Sequence, residues 1–155
     1  MNRRKFLALG LLMTPLAAAL SACDKADGLP EGMQPIVWDR DTCSRCSMVI
    51  SDRRFGVEMR GGTKNTVFKF DDIGCAVFWM RDKFADHPWM TEASTKLWVS
   101  DLNSRGADIK WLEARAAHYV TRTSPMAYNQ AAVAQPQAGS MDFASMSEHV
   151  LAKGR

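Results

Sequence analysis

Between residues 55 and 84 the hydrophobic period changes from two to about 3.6, and that succession limits the fold more than any other feature of the chain. Phe55, Val57 and Met59 alternate with Gly56, Glu58 and Arg60, which is the pattern of a half-buried strand. Gly61-Gly62 follows as a turn, and residues 66–70 give a second short strand, so the pair reads as a hairpin. Asp71-Asp72 then offers N-cap chemistry to a run with Ile73, Ala76, Val77, Met80 and Phe84 on one face, stopped by His87-Pro88. Residues 96–100, with Leu97 and Val99 alternating against Trp98, return to strand. The predicted order is strand, strand, helix, strand.

Fainter versions of these signals follow a polar loop at 101–108. Trp111-Leu112 and residues 117–121 read as extended, Pro125 marks a turn, and residues 127–133 form another strand. Asp142 opens a closing helix with Phe143, Met146, Val150 and Leu151 on one side, ended near Gly154. The expected class is α+β, with two small strand-strand-helix-strand-like units, the second incomplete. Their expected bounds are 36–101 and 102–155, together a body of 36–155.

What precedes the body reads as a device for export. Arg3-Arg4-Lys5 leads an apolar run from Phe6 to Leu20, too short for a comfortable membrane span and followed by Leu20-Ser21-Ala22-Cys23. This resembles a lipoprotein signal, 1–22, with Cys23 as the lipid attachment site, and residues 23–35 read as a flexible tether. A soluble secreted protein cut near Ala22 is the alternative. The twin arginines also resemble a twin-arginine export signal. The expected location is a bacterial cell envelope, with the body lipid-anchored to a membrane and facing the periplasm.

Removing 1–22 also corrects the charge. The 20 basic and 17 acidic residues give +3, but that segment holds three of the basic ones and no acid, leaving 17 against 17. A near-neutral body without a basic stripe excludes nucleic-acid binding as the expected role. Sulfur is what stands out, with ten Met and four Cys in 155 residues.

The chemistry concentrates in Asp41-Thr42-Cys43-Ser44-Arg45-Cys46-Ser47-Met48. Two cysteines at this spacing serve as a disulfide, half of a zinc site, a redox pair or soft-metal ligands. Zinc usually takes its four ligands from two such pairs, and the chain has no second one. A thioredoxin-like pair needs a helix N-terminus, whereas Met48-Val49-Ile50 reads as extended. In an extended segment Cys46 and Met48 share a side, and thiolate with thioether favours Cu(I) over harder ions. A Cys43–Cys46 disulfide beside a buried Met stays open on spacing alone.

Several separated blocks then occur in one order. They are Cys46-Ser47-Met48-Val49-Ile50, Arg54-Phe55, Phe70-Asp71-Asp72-Ile73-Gly74-Cys75, Trp98-Val99-Ser100-Asp101, Trp111-Leu112-Glu113-Ala114, His118-Tyr119-Val120 and Ser124-Pro125-Met126-Ala127-Tyr128. In these the chain resembles the NosL-type lipoproteins, accessory proteins of nitrous oxide reductase assembly. The resemblance implies two linked strand-strand-helix-strand units and a Cu(I) site. The family's Cys-Gly-Met motif falls on Cys46 and Met48, and its Thr-Pro-Met motif places a ligand at Met126. Ser47 stands where the family has Gly, and Ser124-Pro125-Met126-Ala127 where it has Thr-Pro-Met-Gly.

On this resemblance the protein is expected to be no enzyme but a Cu(I) chaperone, with nitrous oxide reductase and its membrane ABC-type maturation complex as partners. Cys43 is kept as a candidate ligand, with a redox guard or a structural thiol as alternatives. The competing function is an envelope thiol-disulfide oxidoreductase using Cys43 and Cys46. Cys75 is expected as a small buried residue beside the helix face, and Asp71 and Asp72 as cap and first-turn acids. His118 is a weaker candidate as an auxiliary ligand. Met59, Met80 and Met146 are expected in the core, and Met33 and Met90 in loops.

Overall fold

The computed structural model describes residues 28–154. The expected signal sequence and Cys23 lie outside them. The first predicted unit forms in the predicted order: β1 (Val57–Gly61), β2 (Thr66–Phe70), α1 (Ile73–Asp82) and β3 (Lys96–Ser100). β1 is central, antiparallel to β2 with Val57 opposite Phe70 and to β3 with Val57 opposite Val99. Val57 and Met59 are fully buried on the helix side of the sheet, which is what the alternation of this strand calls for.

The next strand, β4 (Trp111–Glu113), pairs with β3 and extends this sheet to the order β2-β1-β3-β4. Trp111-Leu112, expected in the second half, thus belongs to the first sheet, because Leu112 pairs with Val99 and Trp111 with Ser100. A separate two-stranded sheet joins β5 (His118–Thr121) and β6 (Gln130–Val133), with α2 (Phe143–Ala152) packed on α1 and β5. A parallel bridge between Asp101 and Ala132 links the sheets. Both contribute to one core cluster, in which Tyr119 is fully buried and donates its hydroxyl to the Ala114 carbonyl at 2.7 Å. The architecture is α+β.

Helix α1 starts where its cap predicts: the Asp72 carboxylate accepts from the Gly74 N–H at 3.0 Å. It ends earlier than the apolar period runs. Lys83 leaves helical geometry, so Phe84 falls beyond the last turn and is 51% exposed instead of joining the core. Pro88–Thr91 forms a short 3-10 turn that buries Met90 completely, against the loop expectation for that residue.

Residues 28–35, expected as tether, lie across the other face of the sheet. The Gln34 N–H donates to Glu58 at 2.9 Å, Lys69 donates to the Pro35 carbonyl at 2.8 Å, and Arg60 donates to the Gly32 carbonyl. Met33 is buried there. Among the described residues no helix is long and apolar enough to cross a membrane.

Candidate metal site

The segment before β1 folds into its own tight hairpin. Thr42 and Val49 face each other in an antiparallel bridge, the Cys43 N–H donates to the Met48 carbonyl at 2.8 Å, and the Ser47 N–H returns to the Cys43 carbonyl at 2.9 Å. Closing so short a loop requires a left-handed residue, and Ser47 supplies it at φ 61°. The turn is fastened to the edge of β2 by two bonds: the Ser44 N–H donates to the Lys69 carbonyl at 2.8 Å, and the Lys69 N–H to the Ser44 hydroxyl at 3.2 Å. That attachment brings the turn over the start of α1.

Three thiols and a carboxylate meet there. One ligand atom each from Cys43, Cys46, Asp71 and Cys75 lies within 4.8 Å of every other, and all three thiols are free. Cys43 and Cys75 are buried, whereas Cys46 is half-buried and hydrogen-bonded to the Asp71 carboxylate, with its Sγ 3.6 and 3.7 Å from the two oxygens. The sequence favours a small buried residue over a ligand at Cys75 and gives Asp71 only a part in starting the helix, and the structure brings both to the cluster. Asp72 takes the cap, which leaves Asp71 free to turn toward the thiols, and Cys75 lies in the first turn of the helix. Their separation of four residues across a helix start was the available signal.

A second loop is drawn to the same helix end. The buried Asp72 carboxylate accepts from the Ser124 hydroxyl at 2.5 Å and from the Met126 N–H at 3.3 Å, in addition to Gly74. Tyr128 lies on Gly74 so closely that a Cβ there would stand 2.1 Å from the ring. Arg45, between the two hairpin cysteines, donates to the Tyr128 hydroxyl at 2.7 Å and lies over the Phe78 ring. The loop that carries Met126 is thus held against α1, and Met126 is half-buried at the edge of the core.

Met48 is placed differently from the expectation. The left-handed Ser47 breaks the extended run between Cys46 and Met48, so they do not stand side by side on a strand, and Met48 is 56% exposed. His118 begins β5, opposite Val133, and belongs to no group of clustered metal-binding side chains among the described residues.

Packed together, the four acids share charge unequally. Cys43 is held down at about 4, chiefly by a hydrogen bond from the Cys75 thiol, against the effect of burial. Cys75 is driven far up by that same bond and then by burial. Burial pushes Cys46 up to about 11, with the neighbouring Cys43 adding to it. Asp71 rises to about 6 through burial and then the charge of Cys43. A single thiolate, at Cys43, therefore sits among protonated sulfurs, and a bound cation would replace the protons that hold the group together. Burial thus favours the protonated form of Cys46, the accessible cysteine of the cluster.

No known family model matches the chain, and no curated protein does. The structure resembles the crystal structure of the copper chaperone NosL from Shewanella denitrificans, at 20% identity and a TM-score of 0.48, over 77% of this chain and 88% of that one.

Proposed function

We propose that the protein is a membrane-anchored Cu(I) chaperone that holds copper through sulfur and releases it to a cuproenzyme under assembly. The observation that carries the reading is the convergence of three thiols within 4.8 Å at the rim of the core, with one of them half-exposed. Soft donors of this kind select Cu(I), and a thioether needs no deprotonation to bind it. Cys46 is the central ligand, with Met48 and Met126 as thioethers, the set that the sequence resemblance implies, and Cys43 beside them is a further candidate ligand. Exposed Met48 and half-exposed Cys46 would let an incoming ligand approach before the protein lets go, so transfer proceeds by ligand exchange. Cys23 would carry the lipid that keeps this exchange at a membrane surface. Nitrous oxide reductase and its ABC-type maturation complex are the proposed recipients.

Zinc is the competing cargo, because Cys75 and Asp71 supply the two donors that the sequence lacked for a four-ligand site. Anaerobic loading of the reduced protein with Cu(I) and Zn(II), followed by desalting and metal analysis, separates them. One tightly held copper per chain and little zinc is the expected result. Retention of zinc and loss of copper would replace the chaperone reading with a structural metal site. In chelator competition, Met126→Ala should weaken Cu(I) binding on the order of 10 to 100-fold, as disturbing a metal site's ligand set does elsewhere.

A further inference from the structure

Of the inner half of the thiol cluster, Cys75 has no part in the ligand set just described, and Cys43 stands between it and Cys46. Cys75 is completely buried and Cys43 nearly so, Cys46 is half-buried, and Met48 is exposed. Sulfur donors thus run in one direction, from the core to the surface, with Cys46 in the middle. Resting on the copper reading, we infer that the protein has two positions for one Cu(I): an inner one between the Cys43 and Cys75 thiolates, and an outer one on Cys46 and the thioethers.

The chemistry fits a monovalent d10 ion. Cu(I) is satisfied by two or three sulfurs and demands no fixed geometry, so it can bind an inner pair without the fourth ligand that zinc needs. The Cys43 and Cys75 sulfurs lie within 4.8 Å of one another, close enough for one ion to sit between them in place of a thiol proton. The step is a ligand substitution: Cu–S bonds to Cys43 and Cys75 form as those to Cys46 and the thioethers break, the Cys75 proton passes to the released Cys46 sulfur or to solvent, and no electron moves. Cys75 lies in the first turn of α1, at the positive end of the helix dipole, which favours a thiolate. Two thiolates also bind more tightly than thioethers, and burial keeps competing ligands away. Copper would therefore rest inside and leave through Cys46, which is within ligand distance of both inner sulfurs.

The test compares the full-length protein with Cys75→Ala and Cys75→Ser, loaded anaerobically with one Cu(I). Equilibrium competition against a Cu(I) chelator and the rate at which excess chelator withdraws the metal are the two readouts. Both variants are expected to lose affinity at least ten-fold and to surrender copper at least ten-fold faster, with the thiolate-to-copper absorption in the ultraviolet reduced. If they hold and release copper like the parent, the inner position does not exist. A second measurement uses the unaltered chain and is immune to misfolding of a buried variant: X-ray absorption at the copper edge should give a shell of short thiolate bonds, and a shell dominated by longer thioether bonds would overturn the inference while leaving the chaperone reading intact. A parent that takes up no Cu(I) sinks both, and is told apart by that first loading step.

Discussion

The Ser124 hydroxyl donates to the Asp72 carboxylate at 2.5 Å across 52 residues of sequence, and the same carboxylate caps α1 through the Gly74 N–H. One buried side chain thereby starts the helix that carries Cys75 and fixes the loop that carries Met126. Replacing it removes a cap, at about 1 kcal/mol, and strands a hydroxyl and an amide without their acceptor, at about 1–3 kcal/mol. Asp72→Ala should therefore lower stability by about 2–4 kcal/mol in urea denaturation. It should also weaken copper binding. An unchanged denaturation midpoint would show that the loop is held by other contacts.

Gly74 is required for a different reason. Alanine in a helix is ordinarily better than glycine by about 1 kcal/mol. Here its Cβ would stand 2.1 Å from Cγ and 2.6 Å from Cβ of Tyr128, and neither atom is the free end of a flexible chain. Gly74→Ala should cost about 2 kcal/mol or more by overpacking, and the Tyr128 ring should move off the helix. Tyrosine fluorescence would be masked by tryptophan, so the ring is better followed by NMR. A variant as stable as the parent would contradict the close approach.

Two substitutions should stabilise the chain. Ser47 and Ala127 stand at φ 61° and 57°, in the left-handed region where a side chain costs roughly 1–2 kcal/mol. Part of the gain is returned as added freedom of the unfolded chain, about 0.4–1 kcal/mol. Ser47→Gly and Ala127→Gly should each raise stability by about 0.5–1 kcal/mol. Thermal denaturation of the two single variants and the double would check both sign and additivity.

The legible parts of the fold are those with a local cause. Asp72 followed by an apolar helical face predicts α1, and Val57 and Met59 between polar neighbours predict β1. Phe84 misled because it keeps the helical period past the point where Lys83 turns the chain. In the site, Cys43 and Cys46 were visible from spacing. Cys75 was not, because what brings it near is the attachment of Ser44 to Lys69, through one bond between backbones and one from the Lys69 N–H to the Ser44 hydroxyl, and a contact between residues 25 apart leaves no mark on the local side-chain period. The extended placement of Met48 beside Cys46 differs for a related reason: an extended strand and a tight turn share a composition there, and only the φ of Ser47 separates them.

The anchor is tested on the intact cell. If Cys23 is lipidated, the protein should sediment with membranes and be released by detergent but not by salt. Cys23→Ala should leave it unprocessed or soluble in the envelope. Mass spectrometry should find an acylated cysteine as the first residue of the parent, and an unmodified N-terminus in a soluble fraction would remove the membrane from the proposed function.

The last prediction concerns a carboxylic acid outside the site. Glu58 is fully buried on the sheet face covered by residues 28–35, accepts the Gln34 N–H on one oxygen, and has no partner for the other. Burial raises it to about 7, against the opposing bond from Gln34 and the charges of Lys69 and Arg60, while Asp41 pushes in the same direction as burial. Below about pH 4.5 the acid is protonated whether the chain is folded or not. Between about 4.5 and 7 the folded chain keeps a proton that the unfolded chain has given up, so stability falls as pH rises through this window, and above it the loss is complete. Asp71 and Asp72, both raised to about 6, add slopes of the same sign, so Glu58 is isolated only by difference. Glu58→Gln keeps an acceptor for Gln34 and cannot ionise. Relative to the parent it should gain nothing near pH 4.5 and on the order of 1–3 kcal/mol by pH 8. Denaturation curves of both chains across that range measure the difference, and parallel pH profiles would mean that Glu58 titrates normally and that water reaches the covered face.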